Sequence, residues 1–227
     1  MKLSILIPVY NEESTIAHIV QKIFRVHISG VQKEVIIIDD GSNDGTKLVL
    51  KQNKKYIDTL IFSNKRAGKG AALKLGLEKA SGDFILIQDA DLEYDPEEYP
   101  ILLSPILNKQ TSVVFGSRYL KPNKRNHIYS VGNRIITWLF NTYYGTYITD
   151  ISTGFKVFPK SLILQLITIP SNDFVFDVVD ITREIVKNDL AIYEVPITYH
   201  VRGHHEGKKL HTIHGIKILF NLLRNFV

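Results

Sequence analysis

The sequence predicts an α/β fold: a doubly wound, mostly parallel central sheet with helices on both faces. Two observations indicate this fold. Short, continuous apolar runs, typical of strands covered on both sides, recur through the first 90 residues, and amphipathic stretches alternate with them. Right-handed crossovers place each intervening helix on a face of the sheet, so the alternation favours parallel strands. Ligands of such sheets collect beyond the carboxyl ends of the strands.

The first half of the chain contains four predicted strands joined by three predicted helices. The strands are the apolar runs 3–9, 34–40, 59–63 and 83–88. The first helix is indicated by one apolar stripe, with Asn11 as its N-cap. The stripe consists of Ile16, Ile19, Val20, Ile23 and Phe24. Further helices are predicted over 46–52 and 68–80, the latter ended by Gly82.

The second half of the chain alternates less regularly. Its predicted strands are 112–118, 152–158 and 190–201, and its predicted helices are 131–144, 174–188 and the amphipathic segment 212–227. The sequence contains no stretch rich in Gly, Ser or Pro that would separate the two halves. We therefore expect a single domain over 1–227.

Composition restricts the function classes. The 227 residues are 44% apolar, which is ample for a core, and include no cysteine. Disulfides, a thiolate nucleophile and cysteine-ligated zinc are therefore excluded. The net charge of +5 favours anionic partners, but no nucleic-acid-binding motif accompanies it, so nucleic acid is disfavoured. Because no run reaches the ~20 apolar residues of a membrane span, we expect a cytoplasmic protein.

The segment ILIQDADLEYDPEEY, residues 85–99, follows a predicted strand with Asp89, Asp91 and Glu93. Residues two apart in an extended chain point the same way, so these like charges would repel one another without a cation. Carboxylate oxygens suit a hard divalent cation, which would bridge a diphosphate. Asp91 is the stronger metal-ligand candidate, Asp89 the next and Glu93 a third. The alternative interpretation is a solvated turn.

The sequence lacks two familiar nucleotide-binding motifs. PVYNEE stands after the first strand in place of the dinucleotide fingerprint, so NAD is disfavoured. The segment AGKGAALK, residues 67–74, lacks the spacing of a P-loop. Gly68 and Lys69 nevertheless open a predicted helix and suit close approach to a nucleotide. Turn geometry alone is an equally good interpretation of these two residues.

Seven short segments occur in a distinctive order: IPVYNEE, IIIDDGSNDGT, GKGAAL, QDADLEYDPEEY, FGSR, DISTGFKVF and RGHHEGKKL. Together they resemble family 2 glycosyltransferases of the Rossmann-like GT-A fold. The likeness is greatest to their polyprenyl-phosphate branch, typified by dolichyl-phosphate mannose and glucose synthases, and it covers nearly the whole chain. It implies that 1–110 is a nucleotide-sugar-binding half and that 111–227 is an acceptor-side half.

The resemblance also implies roles for acidic and aromatic residues. The segment IPVYNE lines the nucleoside pocket in this family, which points to Pro8, Tyr10 and Glu12. The acids of DDGSNDGT contact the base and ribose, which points to Asp39 and Asp40. The paired acids Asp89 and Asp91 match the motif that holds Mg²⁺ or Mn²⁺ on the donor diphosphate.

The basic residues receive separate roles from the same resemblance. Arg118 and Arg134 would meet phosphate or sugar on the acceptor side. Arg202 and either Lys208 or Lys209 belong to a loop that folds over the site in relatives. Planar Arg groups suit phosphate oxygens, whereas Lys supplies a movable point charge. The expected catalytic residues are Asp89, Asp91, Arg118 and Arg202.

These inferences lead to an inverting, metal-dependent hexosyltransferase that uses a UDP- or GDP-sugar and a polyprenyl (dolichyl-type) phosphate. A first alternative is transfer to a hydroxyl of a glycan or lipid, which needs a carboxylate base. Asp150, Asp173 and Asp177 are the candidates for that base. A second alternative is a non-catalytic nucleotide-sugar-binding protein, because fold alone does not prove chemistry. The helix 212–227 either packs against the domain or lies peripherally on the cytoplasmic membrane face, near a lipid acceptor.

Overall fold

The computed structural model describes residues 1–122, 127–170, 173–201 and 218, and within 127–129 it describes the backbone alone. The strands are β1 (Lys2–Val9), β2 (Gln32–Asp39), β3 (Thr59–Phe62), β4 (Phe84–Ile87), β5 (Val113–Ser117), β6 (Lys156–Pro159) and β7 (Ile192–Pro196). The α-helices are α1 (Ile16–Arg25), α2 (Thr46–Gln52), α3 (Lys69–Lys79), α4 (Tyr99–Leu107), α5 (His127–Tyr144), α6 (Ile163–Thr168) and α7 (Ile181–Lys187).

In the described part of the chain, seven strands form one sheet in the order β3-β2-β1-β4-β6-β5-β7. Neighbouring strands are parallel except at β6, which runs antiparallel to both β4 and β5. The chain segment that enters β6 therefore reaches the same sheet edge as the segments that leave β4 and β5. This reversal brings residues before 156 to the edge where ligands of such sheets bind.

Apolar side chains cover both faces of the sheet, because successive residues of a strand point to opposite sides. Leu3, Ile5 and Ile7 of β1 pack in one cluster with residues of α1 and α4. Leu6 of the same strand packs in a second cluster with residues of α3, α6 and α7. The predicted α/β fold, with a mostly parallel sheet and helices on both faces, is confirmed.

A third apolar cluster lies against α5. It joins Ile136 and Phe140 of that helix to Val179 and to Ile218, which is helical and buried. Ile218 is the described residue of the predicted helix 212–227, and its side chain belongs to this cluster. Among the described residues, no helix is both long and apolar enough to cross a bilayer.

At the amino ends of the strands, the Glu34 carboxylate joins three chain segments. It accepts hydrogen bonds from Lys2 Nζ at 2.7 Å, from Ser4 Oγ at 2.5 Å and from the Ser81 amide at 2.9 Å. Burial opposes ionisation, but these donors outweigh it and lower the pKa of Glu34 to about 2. The carboxylate thus stabilises the sheet at the edge opposite the candidate site.

Local predictions failed at several points in the chain. Asn11 does not cap α1, which begins at Ile16; its side chain instead donates to Asn43 Oδ1 at 2.7 Å. Phe24 is 64% exposed rather than buried, and its ring lies 5.1 Å from that of Tyr56. The predicted helix 174–188 contains a π-helical turn, Phe176–Asp180, before α7.

Two helices, α4 and α6, were not predicted. The sequence of α4, YPILLSPIL, contains two prolines, which ordinarily argue against a helix. Pro100 lies in the first turn, where an amide hydrogen is not needed, and Pro105 lies within the last turn. The apolar side chains of the segment outweigh the missing hydrogen bond by packing beneath the sheet.

Candidate active site

A pocket opens at the carboxyl edge of the sheet, as expected for this topology. Of the predicted nucleotide-binding residues, Pro8, Tyr10, Glu12, Asp40 and Lys69 line it. Of the predicted metal-binding and catalytic residues, Asp89, Asp91, Glu93 and Arg118 also line it. Asp39, Gly68 and Arg134 do not. Arg202, Lys208 and Lys209 lie outside the described residues.

Asp40 shapes the loop that precedes α3. Its two carboxylate oxygens accept the amide hydrogens of Ala67 and Gly68, each at 2.8 Å. Gly68 has φ +104°, a conformation that residues with a Cβ rarely adopt. Asp40 and Gly68 together direct the amino terminus of α3, and with it Lys69, towards the pocket.

Asp39 faces away from the pocket, although it adjoins Asp40 in the sequence. Its side chain is fully buried, accepts the Ser42 amide hydrogen at 3.3 Å, and lies 3.8 Å from Lys47 Nζ. The carboxylate therefore stabilises the turn after β2. Its expected contact with a nucleoside stays a prediction.

Tyr10 and Arg66 form a flat surface on one wall of the pocket. The guanidinium carbon of Arg66 lies 4.2 Å from the centre of the Tyr10 ring. Sequence reasoning missed Arg66; the available signal was a cation directly before the Ala-Gly-Lys-Gly segment. Nearby, Glu12 is buried and accepts the Thr15 hydroxyl at 2.7 Å. This contact holds the loop between β1 and α1 in place.

Lys69 lies between two carboxylates in the pocket wall. Its Nζ is 2.6 Å from Asp89 Oδ1 and 2.7 Å from Asp177 Oδ2. Burial disfavours the ammonium, but Asp177 and Asp89 outweigh this and raise the pKa of Lys69. The second oxygen of Asp89 adjoins Gly154, where an added Cβ would collide with it. Asp89 is therefore held on both sides.

Asp91 and Glu93 lie further along the same loop. Asp91 Oδ1 accepts the Glu93 amide hydrogen at 3.2 Å, and Glu93 Oε2 accepts the Tyr199 hydroxyl at 2.6 Å. Burial, together with the neighbouring Tyr94 and Glu93, raises the pKa of Tyr199. Within the described ranges, no three acidic or histidine side chains form a metal-binding group by themselves. Metal binding here would need further oxygen ligands, such as those of a diphosphate.

Arg118 also lines the pocket and is held rigidly by Asp150. Its Nε and Nη2 donate to the two Asp150 oxygens at 2.7 Å each, and its amide donates to Oδ2 at 3.1 Å. Burial acts in the opposite direction, yet Asp150 raises the pKa of Arg118 well above its usual value. Asp150 is fully buried and also accepts the side-chain amide of Asn133 at 2.9 Å. Two-point contact of this kind fixes the plane of a guanidinium.

Arg134 lies outside the pocket, on α5. Its guanidinium carbon is 5.7 Å from the centre of the ring of Tyr119, the residue that follows Arg118 in the sequence. Its expected contact with the acceptor stays a prediction.

The three candidate bases are all engaged in the structure. Asp150 pairs with Arg118, and Asp173 Oδ1 accepts the Val175 amide hydrogen at 2.9 Å. Asp177 contacts both Lys69 and Lys156, a fully buried lysine that sequence reasoning missed. Burial would raise the pKa of Asp177, but the two lysines lower it. Burial lowers the pKa of Lys156, an effect that Asp177 opposes.

Comparison with known proteins identifies relatives of this chain. The sequence model of glycosyl transferase family 2 matches residues 4–167. A dolichol-phosphate mannosyltransferase of Pyrococcus furiosus is 34% identical over 125 residues, covering 55% of this chain and 35% of the relative. A UDP-N-acetylglucosamine–dolichyl-phosphate N-acetylglucosaminyltransferase of Methanococcus voltae is 28% identical, covering 96% of this chain and 94% of the relative. A low-salt glycan biosynthesis hexosyltransferase of Haloferax volcanii is 29% identical over 88% of this chain.

The chain spans only 35% and 48% of the lengths of the Pyrococcus and Haloferax relatives. Among solved structures, glucosyl-3-phosphoglycerate synthase from Mycobacterium tuberculosis, in complex with UDP, superimposes with a TM-score of 0.75 at 20% identity. The superposition covers 98% of this chain and 79% of that one. The same synthase has been solved with Mn²⁺ and UDP-glucose, and that structure gives a TM-score of 0.68. At this identity the likeness shows the fold.

The family match covers most of the chain, and the mixed sheet with its pocket agrees with the solved structures. The chain therefore belongs to glycosyltransferase family 2 and has the GT-A fold.

Proposed function

We propose that this glycosyltransferase transfers a hexose from a UDP- or GDP-sugar to a polyprenyl phosphate, with inversion at the anomeric carbon. An oxygen of the acceptor phosphate attacks that carbon, the bond to the donor diphosphate breaks, and the nucleoside diphosphate leaves. The observation that carries the proposal is that each candidate base is already engaged by cations or amides. A phosphate monoester is anionic at neutral pH and needs no base, whereas a hydroxyl does.

The donor would bind against the pocket wall formed by Tyr10, Arg66 and Asp40. A flat aromatic ring and guanidinium suit a nucleoside base, and Lys69 supplies a cation towards the diphosphate. The Methanococcus relative is named for UDP-N-acetylglucosamine and dolichyl phosphate, and the mycobacterial synthase was solved with UDP-glucose. These names support a nucleotide-sugar donor and a lipid-phosphate acceptor.

Mg²⁺ or Mn²⁺ would be held by Asp91 and Asp89, with Glu93 as a third candidate. The residues fit such an ion because carboxylate oxygens line the pocket and hard cations prefer oxygen. Asp89 is already paired with Lys69, so Asp91 is the better placed of the two. When bound, the cation would offset the charge that develops on the leaving diphosphate.

Arg118 would orient the acceptor phosphate. The Asp150 pair fixes its plane before any acceptor arrives, and preorganised cationic donors are effective in a partly buried site. Arg134, Arg202 and either Lys208 or Lys209 would supply the remaining positive charge. We further propose that the enzyme works in the cytoplasm, in peripheral contact with a membrane that contains the acceptor.

A direct test supplies the purified protein with UDP- and GDP-sugars, Mn²⁺, and either a short polyprenyl phosphate or the matching polyprenol. We expect product from the phosphate alone. Arg118→Lys should impair this transfer although charge is retained, because Lys cannot make the two-point contact; Arg25→Lys, on the exposed surface of α1, is the control.

Faster transfer to the alcohol or to a sugar hydroxyl would establish the hydroxyl-acceptor alternative instead. If no nucleoside diphosphate is released with any donor, the non-catalytic alternative replaces both.

A further inference from the structure

Lys156, the first residue of β6, is a fully buried lysine behind the pocket. It does not belong to the pocket lining, and the proposed chemistry gives it no role. Its Nζ donates to the main-chain oxygen of Asp177 at 2.6 Å and lies 3.3 Å from Asp177 Oδ1. The ammonium also lies 5.6 Å from the centre of the Phe115 ring. Because burying a charge is unfavourable, an apolar residue would be expected here unless the charge has a use.

The contact point on Asp177 is structurally unusual. Asp177 lies in the π-helical turn Phe176–Asp180. Such turns are rare in proteins, and those that occur are often found at functional sites. Lys156 binds both the carbonyl and the carboxylate of this one residue, so it fixes the side chain within the turn. The other carboxylate oxygen then contacts Lys69 at 2.7 Å.

The contacts form a row of alternating charges: Lys156, Asp177, Lys69 and Asp89. Two positive and two negative groups balance. If Lys156 were neutral, the row would carry one net negative charge beside a pocket that receives a diphosphate. In a poorly solvated region such an imbalance acts over several ångströms.

We propose that Lys156 is a positioning residue for the donor. Lys156 compensates the charge of Asp177 and orients that carboxylate. Asp177 then fixes the position of Lys69, and the positive charge of Lys69 remains available to the donor diphosphate. This inference rests on the proposed function, because it requires a nucleoside diphosphate in the pocket.

The test uses Lys156→Met, which keeps an unbranched side chain and removes the charge, and Lys156→Gln, which keeps a hydrogen-bond donor. Binding of UDP and of GDP, each with Mn²⁺, is measured by calorimetry, and the Michaelis constants for donor-sugar and acceptor are measured separately. We expect nucleotide binding about tenfold weaker in both variants, which corresponds to about 1.4 kcal/mol. The acceptor constant should change less than twofold. Lys160→Met, at an exposed lysine just after β6, should match the wild type.

A second variant guards against misfolding. Lys156→Met with Asp177→Asn removes both charges, and neutralising a whole buried pair is tolerated better than breaking it. We expect this protein to fold and to bind the nucleotide more tightly than Lys156→Met but still about threefold more weakly than the wild type, because Lys69 and Asp89 balance again while Lys69 has lost its ionic contact with Asp177. Wild-type affinity in either a folded single variant or the double variant overturns the inference. If the wild type binds neither UDP nor GDP, the proposed function fails and the inference fails with it.

Discussion

Asp150→Asn tests how the pocket holds Arg118. Asp150 accepts hydrogen bonds from the Arg118 amide, from two guanidinium nitrogens and from Asn133. Asparagine keeps one carbonyl oxygen but places an NH₂ group where the other oxygen accepted hydrogens. The variant therefore loses the ionic attraction to Arg118. At one of the two oxygen positions, the new NH₂ group also faces N–H groups that can only donate.

The expected magnitude follows from burial. Removing one partner of a buried ion pair costs about 3–5 kcal/mol, and the retained oxygen lowers this to about 3 kcal/mol. In a chain of this length each kcal/mol shifts the melting temperature by about 2–4 °C, so we expect a fall of about 6–12 °C. Asp58→Asn is the matched control, since Asp58 is exposed and accepts the Val35 amide hydrogen. It should change the melting temperature by no more than about 2 °C.

Transfer to polyprenyl phosphate should also fall, although Asp150 touches no substrate in this mechanism. The loss should depend on Arg118: in an Arg118→Lys background, Asp150→Asn should add little, because residues that act as a unit are not additive. Thermal unfolding followed by circular dichroism and nucleoside diphosphate release are the two assays. An unchanged melting temperature, or a rate loss that is fully additive with Arg118→Lys, would refute the positioning role and restore Asp150 as a candidate base.

Three further outcomes are expected. Asp91→Asn keeps the side-chain volume but removes a charge, so metal-dependent release of nucleoside diphosphate should fall at least about a hundredfold, and normal rates at saturating Mn²⁺ would exclude Asp91 as a ligand. Gly154→Ala places a methyl group against the Asp89 carboxylate, so the free energy of unfolding should fall by about 1–3 kcal/mol in denaturant titrations. An unchanged denaturation midpoint would show that the segment around Gly154 moves aside without cost. The pKa of Glu34 is lowered to about 2, so its carboxylate stabilises the fold above its ordinary pKa and loses that effect as the pH falls towards 2. Glu34→Gln should accordingly be less stable by about 1–2 kcal/mol at pH 7, with a difference that shrinks as the pH falls from about 5 to about 2, and a constant difference would contradict this linkage.

The first four strands were predictable because parallel strands covered on both faces are continuous apolar runs. β2 was predicted over 34–40 and observed over Gln32–Asp39, an agreement typical of such segments. The reversal at β6 was not predictable, because periodicity reports which faces of a strand are buried and not its direction. The two prolines of α4 concealed a helix that packing stabilises.

In the candidate site, too, some residues were predictable from the sequence and others were not. The paired carboxylates Asp89 and Asp91 were recognisable as polar residues at the end of a buried strand, and both line the pocket. Asp39 and Asp40 could not be told apart, because adjacent residues point in opposite directions and either could have faced the ligand. Arg118 and Asp150, 32 residues apart, meet only because β6 is reversed. No local pattern records such a contact.

The reversal at β6 also determines whether the first 110 residues can exist alone. Residues 1–110 are contiguous and contain β1 to β4, yet β4 pairs with β1 on one side and with β6 on the other. A protein cut at residue 110 would expose the outer edge of Phe84–Ile87, four apolar residues with unpaired main-chain groups. Such an edge is a template for aggregation. Residues 1–110 are therefore expected to remain in solution only while β6 shields the strand that leads to Asp89 and Asp91, so any truncation or transplant of this segment has to include β6 as well.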